Sequence, residues 1–116
     1  MIMDVLEIIY LFTVLLMGVL FMVIGYAMYR SPPGKINPYF GYRTSRSMKD
    51  QASWDLSQKY SGKLMALCGL ASLVLGIVVW LLYEITFVVF IVVIVLQTGI
   101  ILSMIPLVEM KMKRMR

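Results

Sequence analysis

The sequence predicts an all-α integral membrane protein with three transmembrane helices, the second extended into the cytoplasm. Three observations carry this. Of 116 residues, 61% are hydrophobic and only 15% charged, against roughly 45–50% and about 25% in soluble domains. The apolar residues gather in three runs, each longer than the 18 or so residues needed to cross about 30 Å of hydrocarbon. All 11 Lys and Arg residues fall in two segments that three crossings place on one side. The length allows a single domain, residues 1–116.

The first span covers residues 5–29. Its start is acidic, with Asp4 and Glu7, and its apolar run exceeds that of a signal peptide, so it reads as a retained helix. Arg30 and then Ser31-Pro32-Pro33-Gly34 end it, because paired prolines cannot continue a helix. A polar loop fills 30–47. Ser47 with Asp50 three residues later has the form of a capping box, which starts a helix near Met48. Nothing breaks that helix until Tyr83, so it enters the membrane as the second span, 48–83 overall. Tyr83-Glu84 leaves room for only a tight hairpin. The third span covers 86–107. Val and Ile dominate it, but a lone strand in lipid would leave its backbone unpaired, whereas a helix closes its own hydrogen bonds. A basic tail, 108–116, follows.

Lys and Arg set the direction. Arg30, Lys35, Arg43, Arg46, Lys49, Lys59 and Lys63 lie between spans one and two, and Lys111, Lys113, Arg114 and Arg116 lie in the tail. The positive-inside rule puts both segments in the cytoplasm and the N-terminus outside. The net charge of +5 therefore reads as topology and attraction to anionic phospholipids, not as direct nucleic-acid binding.

Gly62, Gly69 and Gly76 recur every seven residues in span two, and Gly18 and Gly25 do so in span one. Such spacing keeps small residues near one face, where helix backbones approach closely in lipid. The glycines are expected to pack helices within the chain; the same faces could serve a homo-oligomer. Gln97 in span three calls for an interhelical hydrogen bond. The chain has no histidine, one cysteine (Cys68, inside a span) and 11 scattered methionines. No metal site and no cofactor are expected, and methionine serves as apolar filler.

Specificity concentrates between the first two spans. Asn37-Pro38 favours a turn, Gly41 permits a bend, and the Arg43 guanidinium can fork onto a carboxylate or phosphate. Trp54, Gln58, Ser61, Gly62 and Met65 share one helix face by their spacing, with Asp50 one turn before. Trp54 is either an interfacial anchor or the floor on which the Asn37–Thr44 turn folds. The order Asn37-x-x-x-Gly41-x-Arg43-Thr44, then Trp54, Gln58 and Gly62-Lys63, resembles the SdpI family, named for an immunity protein against a secreted bacterial killing peptide. The resemblance covers about Asn37 to Leu81, plus the third span by topology. Gln58 stands where the family often has His or Asn, which argues against a proton or metal role and leaves a hydrogen-bonding one.

The resemblance implies a multi-pass bacterial cell-membrane protein giving immunity or resistance to a membrane-active peptide toxin. It also implies signalling through a sequestered cytoplasmic repressor protein. The candidate binding residues are Asn37, Gly41, Arg43, Thr44, Asp50, Trp54, Gln58, Gly62 and Lys63. A small oligomeric transporter or transporter subunit is one alternative, although no charge lies deep in a span. An anionic-lipid-binding, membrane-organising protein is another. Catalysis is not expected, for want of a histidine or a cytoplasmic cysteine.

Overall fold

The computed structural model describes residues 3–114 and, among them, contains helices and no strand. The helices are α1 (Val5–Arg30), α2 (Gln51–Leu82), α3 (Phe87–Leu102) and α4 (Met104–Arg114). Three helices are long and apolar enough to cross a membrane: α1, α2, and α3 with α4 counted as one. They form an elongated bundle of 54 × 23 × 19 Å. At 1.5 Å per residue the 32 residues of α2 extend about 48 Å. That exceeds a hydrocarbon core of about 30 Å, and its first turns carry the polar residues Gln51, Asp55 and Lys59.

Local chemistry fixes the helix ends. The Asp4 carboxylate accepts from Glu7 N at 2.8 Å and caps α1. Thr86 caps α3 by accepting from Val89 N at 3.2 Å. Only residues 83–86 separate α2 from α3, the tight hairpin that the sequence requires. Two boundaries differ from expectation. Asp50, not Ser47, caps α2, accepting from Ser53 N at 2.7 Å, so the helix begins at Gln51 and not near Met48. The expected basic tail from 108 is helical through Arg114; Arg116 lies outside the described residues. A short break at Ser103 divides α3 from α4. Pro106 explains it: proline offers no N–H to the carbonyl four residues back, and its ring crowds that carbonyl.

The α1–α2 contact is the spine of the bundle. A Cβ built on Gly62 would sit 2.7 Å from Tyr29 N and 2.8 Å from Gly25 O. One on Gly69 would sit 2.7 Å from Met22 N and 2.8 Å from Gly18 O. The seven-residue repeats of the two helices therefore meet glycine to glycine, with backbone against backbone. Gly99 in α3 faces open space.

Two apolar clusters flank this seam. At the hairpin end Tyr10, Val14, Ile85 and Val93 are buried together. Tyr10 donates to Gly76 O at 2.7 Å and meets the Phe90 ring edge-on at 5.6 Å. There Trp80 also donates to the Glu7 carboxylate at 3.2 Å, giving that acid in α1 a partner. At the other end Met28, Tyr42, Met104, Val108 and Met112 form the second cluster. Midway, Gln97 Nε2 donates to Ser72 O at 2.8 Å, the interhelical bond expected of it.

Candidate functional site

The segment between α1 and α2 folds back on the start of α2, and side chains, not a regular ladder, hold it there. Asn37 organises the first turn. Its Oδ1 accepts from Tyr39 N at 2.9 Å and Phe40 N at 2.8 Å, and its Nδ2 donates to Lys35 O at 3.0 Å. An Asx side chain thus supplies hydrogen bonds that the backbone of a turn would otherwise lack. Gly41 follows with φ +112°, a conformation that L side chains rarely adopt.

That bend delivers Tyr42 to Gln58. Gln58 Oε1 accepts from Tyr42 N at 2.7 Å, and its Nε2 donates to Tyr42 O at 2.6 Å. One primary amide therefore satisfies both backbone groups of a residue 16 positions away in sequence. Gln58 is fully buried. Its Nε2 also lies 3.3 Å from Ser57 Oγ. A Cβ on Gly41 would stand 2.5 Å from Gln58 Oε1, so the glycine also makes room for the amide.

Trp54 is the floor of this clasp. It is 0% exposed, and its indole donates to Pro33 O at 3.0 Å. It therefore packs under the loop and is not an interfacial anchor. Gln51 bonds Gly34 O at 2.7 Å from the same helix turn.

Tyr42, Thr44 and Ser47 tie the segment to α4. Thr44 and Ser47 exchange bonds: Thr44 N donates to Ser47 Oγ at 2.7 Å, and Ser47 N donates to Thr44 Oγ1 at 3.2 Å. This is the reciprocal geometry of a capping box, spent on a separate turn before α2. Glu109 Oε2 accepts from Tyr42 OH at 2.8 Å and from Thr44 Oγ1 at 3.1 Å. Its Oε1 pairs with Arg46 at 3.5 Å. Both partners of that pair keep some solvent exposure, so it adds little beyond orientation.

Burial first, and then the Glu109 carboxylate, push the Tyr42 phenol above its ordinary value of 10.0. An unfolded chain releases that proton more readily, so this contribution to stability is whole below pH 10.0 and declines as pH rises above it. Alkaline unfolding followed by circular dichroism should begin at higher pH for Tyr42→Phe, measured relative to its own neutral-pH stability.

The nine residues singled out by sequence thus divide by role. Asn37, Gly41, Trp54 and Gln58 build the clasp, and Thr44 links it to α4. Asp50 caps α2, and Gly62 sits in the α1–α2 seam. Arg43 and Lys63 are exposed. They border different grooves. Arg43 lines one with Phe21 and Ile105; Lys63 lines another with Tyr29 and Lys59. Sequence reasoning missed Tyr42 and Glu109, and it gave Ser47 the cap of α2 where the structure pairs it with Thr44. The signal for Glu109 was its position as a single acid one turn before a basic run, on a stretch where Met104, Val108 and Met112 recur at helical spacing.

Residues 34–105 match the profile of the SdpI/YfhL protein family. The chain belongs to that family. The matched stretch begins in the clasp and runs through α2 and α3. A curated relative, the uncharacterized protein YfhL of Bacillus subtilis (strain 168), is 42% identical over 60 residues, which are 52% of this chain and 54% of the relative. The match thus spans about half the length of that relative. No solved structure matches. Family membership and three apolar helices make this a multi-pass membrane protein.

Proposed function

We propose that this chain protects a bacterial cell membrane against a membrane-active peptide or comparable envelope stress, and performs no catalysis. The family match carries the reading. The clasp is compatible with it: most of the motif holds the segment against α2, and Arg43 is left exposed toward a partner. No histidine is present, and Cys68 lies inside a span, so neither offers a base or nucleophile beside the clasp. Signalling through a bound repressor is a further step of the same reading, with the basic residues around the clasp as the contact face.

The reading includes an orientation with the N-terminus outside and the clasp and α4 in the cytoplasm, drawn from the positive-inside rule. In a Cys68→Ser background, a cysteine at Glu84 should react with an impermeant thiol reagent added to intact cells. One at Lys49 should react only after permeabilisation. The opposite pattern refutes the orientation.

Deletion of the gene should raise sensitivity to a membrane-active peptide made by the same or a neighbouring strain. Arg43→Ala, in protein that still inserts and accumulates, should fail to restore resistance. Unchanged sensitivity across a panel of such peptides refutes protection. Solute accumulation by proteoliposomes would establish transport instead.

A further inference from the structure

We infer that Arg43 and the groove beside it form a binding site for one anionic phospholipid of the adjoining leaflet, with the phosphate on the guanidinium and an acyl chain in the groove. The groove holds about 360 Å³. Phe21 of α1, Met65 of α2, and Ile101, Leu102 and Ile105 of the third span wall it, and Arg43 stands on its border. Apolar walls and a single cation at the border match an amphiphile whose charge is negative.

The surrounding hydrogen bonds leave that cation available. Its neighbour Arg46 is committed to Glu109 at 3.5 Å. The remaining Glu109 oxygen is taken by Tyr42 and Thr44. Arg43 is exposed and forms no ion pair among the described residues. Thr44, also on the border, spends its backbone N–H on Ser47 and its hydroxyl on Glu109, so it does not compete for the anion.

The clasp also aims the charge. Gln58 fixes both peptide groups of Tyr42, the residue before Arg43. Part of the ordering cost of a guanidinium–phosphate contact is therefore met before the lipid arrives. A planar fork on a fixed backbone favours two parallel hydrogen bonds to phosphate, which a lysine ammonium does not reproduce. Gln58 is a positioning residue in this account. The site is independent of the envelope-defence reading and stands or falls separately.

The test is lipid occupancy by native mass spectrometry of the full chain, titrated with phosphatidylglycerol or with phosphatidylcholine of the same acyl chains. One phosphatidylglycerol should bind preferentially. Arg43→Gln should weaken it about tenfold or more, the worth of a charge-assisted hydrogen bond, and Arg43→Lys should recover only part. Leu102→Trp, which fills the groove from an exposed position on its α3 wall, should cause a comparable loss. Lys113→Gln, a charge control on exposed α4 surface, should bind as wild type. Equal binding of the two lipids, wild-type binding by Arg43→Gln, or an equal loss in Lys113→Gln overturns the site. Displacement of the lipid by glycerol phosphate lacking acyl chains overturns the role of the groove.

Discussion

Replacing Gly62 with alanine should destabilise the bundle by about 2–3 kcal/mol, within the range seen when well-packed interiors are overfilled. The added methyl would meet Tyr29 N at 2.7 Å and Gly25 O at 2.8 Å. Both are backbone atoms of a helix, so no side chain can rotate away, and the axes of α1 and α2 must separate. Separation would also loosen the matching contact at Gly18 and Gly69, because both pairs lie on one seam. Gly62→Leu should prevent accumulation of folded protein. Gly99→Ala is the control: its added methyl meets nothing within 4 Å. There alanine should leave stability unchanged or raise it by up to about 1 kcal/mol through helix propensity. Thermal unfolding in a single detergent would compare wild type, Gly62→Ala and Gly99→Ala. Equal effects at Gly62 and Gly99 would mean that α1 and α2 do not touch through their glycines.

The second large effect belongs to Gln58→Leu. Leucine keeps much of the volume but abandons both Tyr42 N and Tyr42 O, which lie 2.7 and 2.6 Å from the amide. Tyr42 O keeps a second donor, Ser47 Oγ at 3.1 Å, so Tyr42 N alone loses its partner. A buried polar group left unsatisfied costs about 1–3 kcal/mol. The loop lies at the end of the bundle, and water reaches it once the clasp opens, so the lower half of that range is expected. The readout should be local as well as global. Proteolysis within residues 31–50 should accelerate by more than cleavage at the hairpin of residues 83–86. Gln58→Glu should recover only part of the loss, because it still accepts from Tyr42 N but sets an oxygen against Tyr42 O. Wild-type proteolysis in Gln58→Leu would show that the segment is held by something other than this amide.

The fold was legible because lipid simplifies the code. Long apolar runs define spans, and lysine and arginine define the ends, with no need to weigh competing propensities. The seven-residue glycine repeats announced close packing, and the contact between Gly25 and Gly62 is their outcome. The spacing from Asn37 to Gln58 marked the segment that folds back on α2. What was not legible depended on which of two equivalent groups wins. Ser47 and Asp50 each make an N-cap, and sequence alone does not say that Ser47 is diverted by Thr44 while Asp50 takes the helix. Trp54 suits an interface as well as a core until the loop is seen above it. Glu109 is separated from Thr44 by 65 positions and lies beyond the family-matched residues, so no local pattern joins the two. The expected third span, 86–107, runs through Pro106 without a break; the proline instead divides α3 from α4, and α4 carries on with a buried face of Met104, Val108 and Met112.

The central claim is that the motif is an intramolecular clasp closed by one side-chain amide. Hydrogen exchange of the Tyr42 backbone amide, measured by NMR in lipid nanodiscs, tests it most directly. Tyr42 lies outside any helix, and its N–H donates to Gln58 Oε1 at 2.7 Å. The account predicts slow exchange, comparable to the first turns of α2, and rapid exchange in Gln58→Leu. Exchange of the wild-type amide at the rate of an unstructured loop would contradict it.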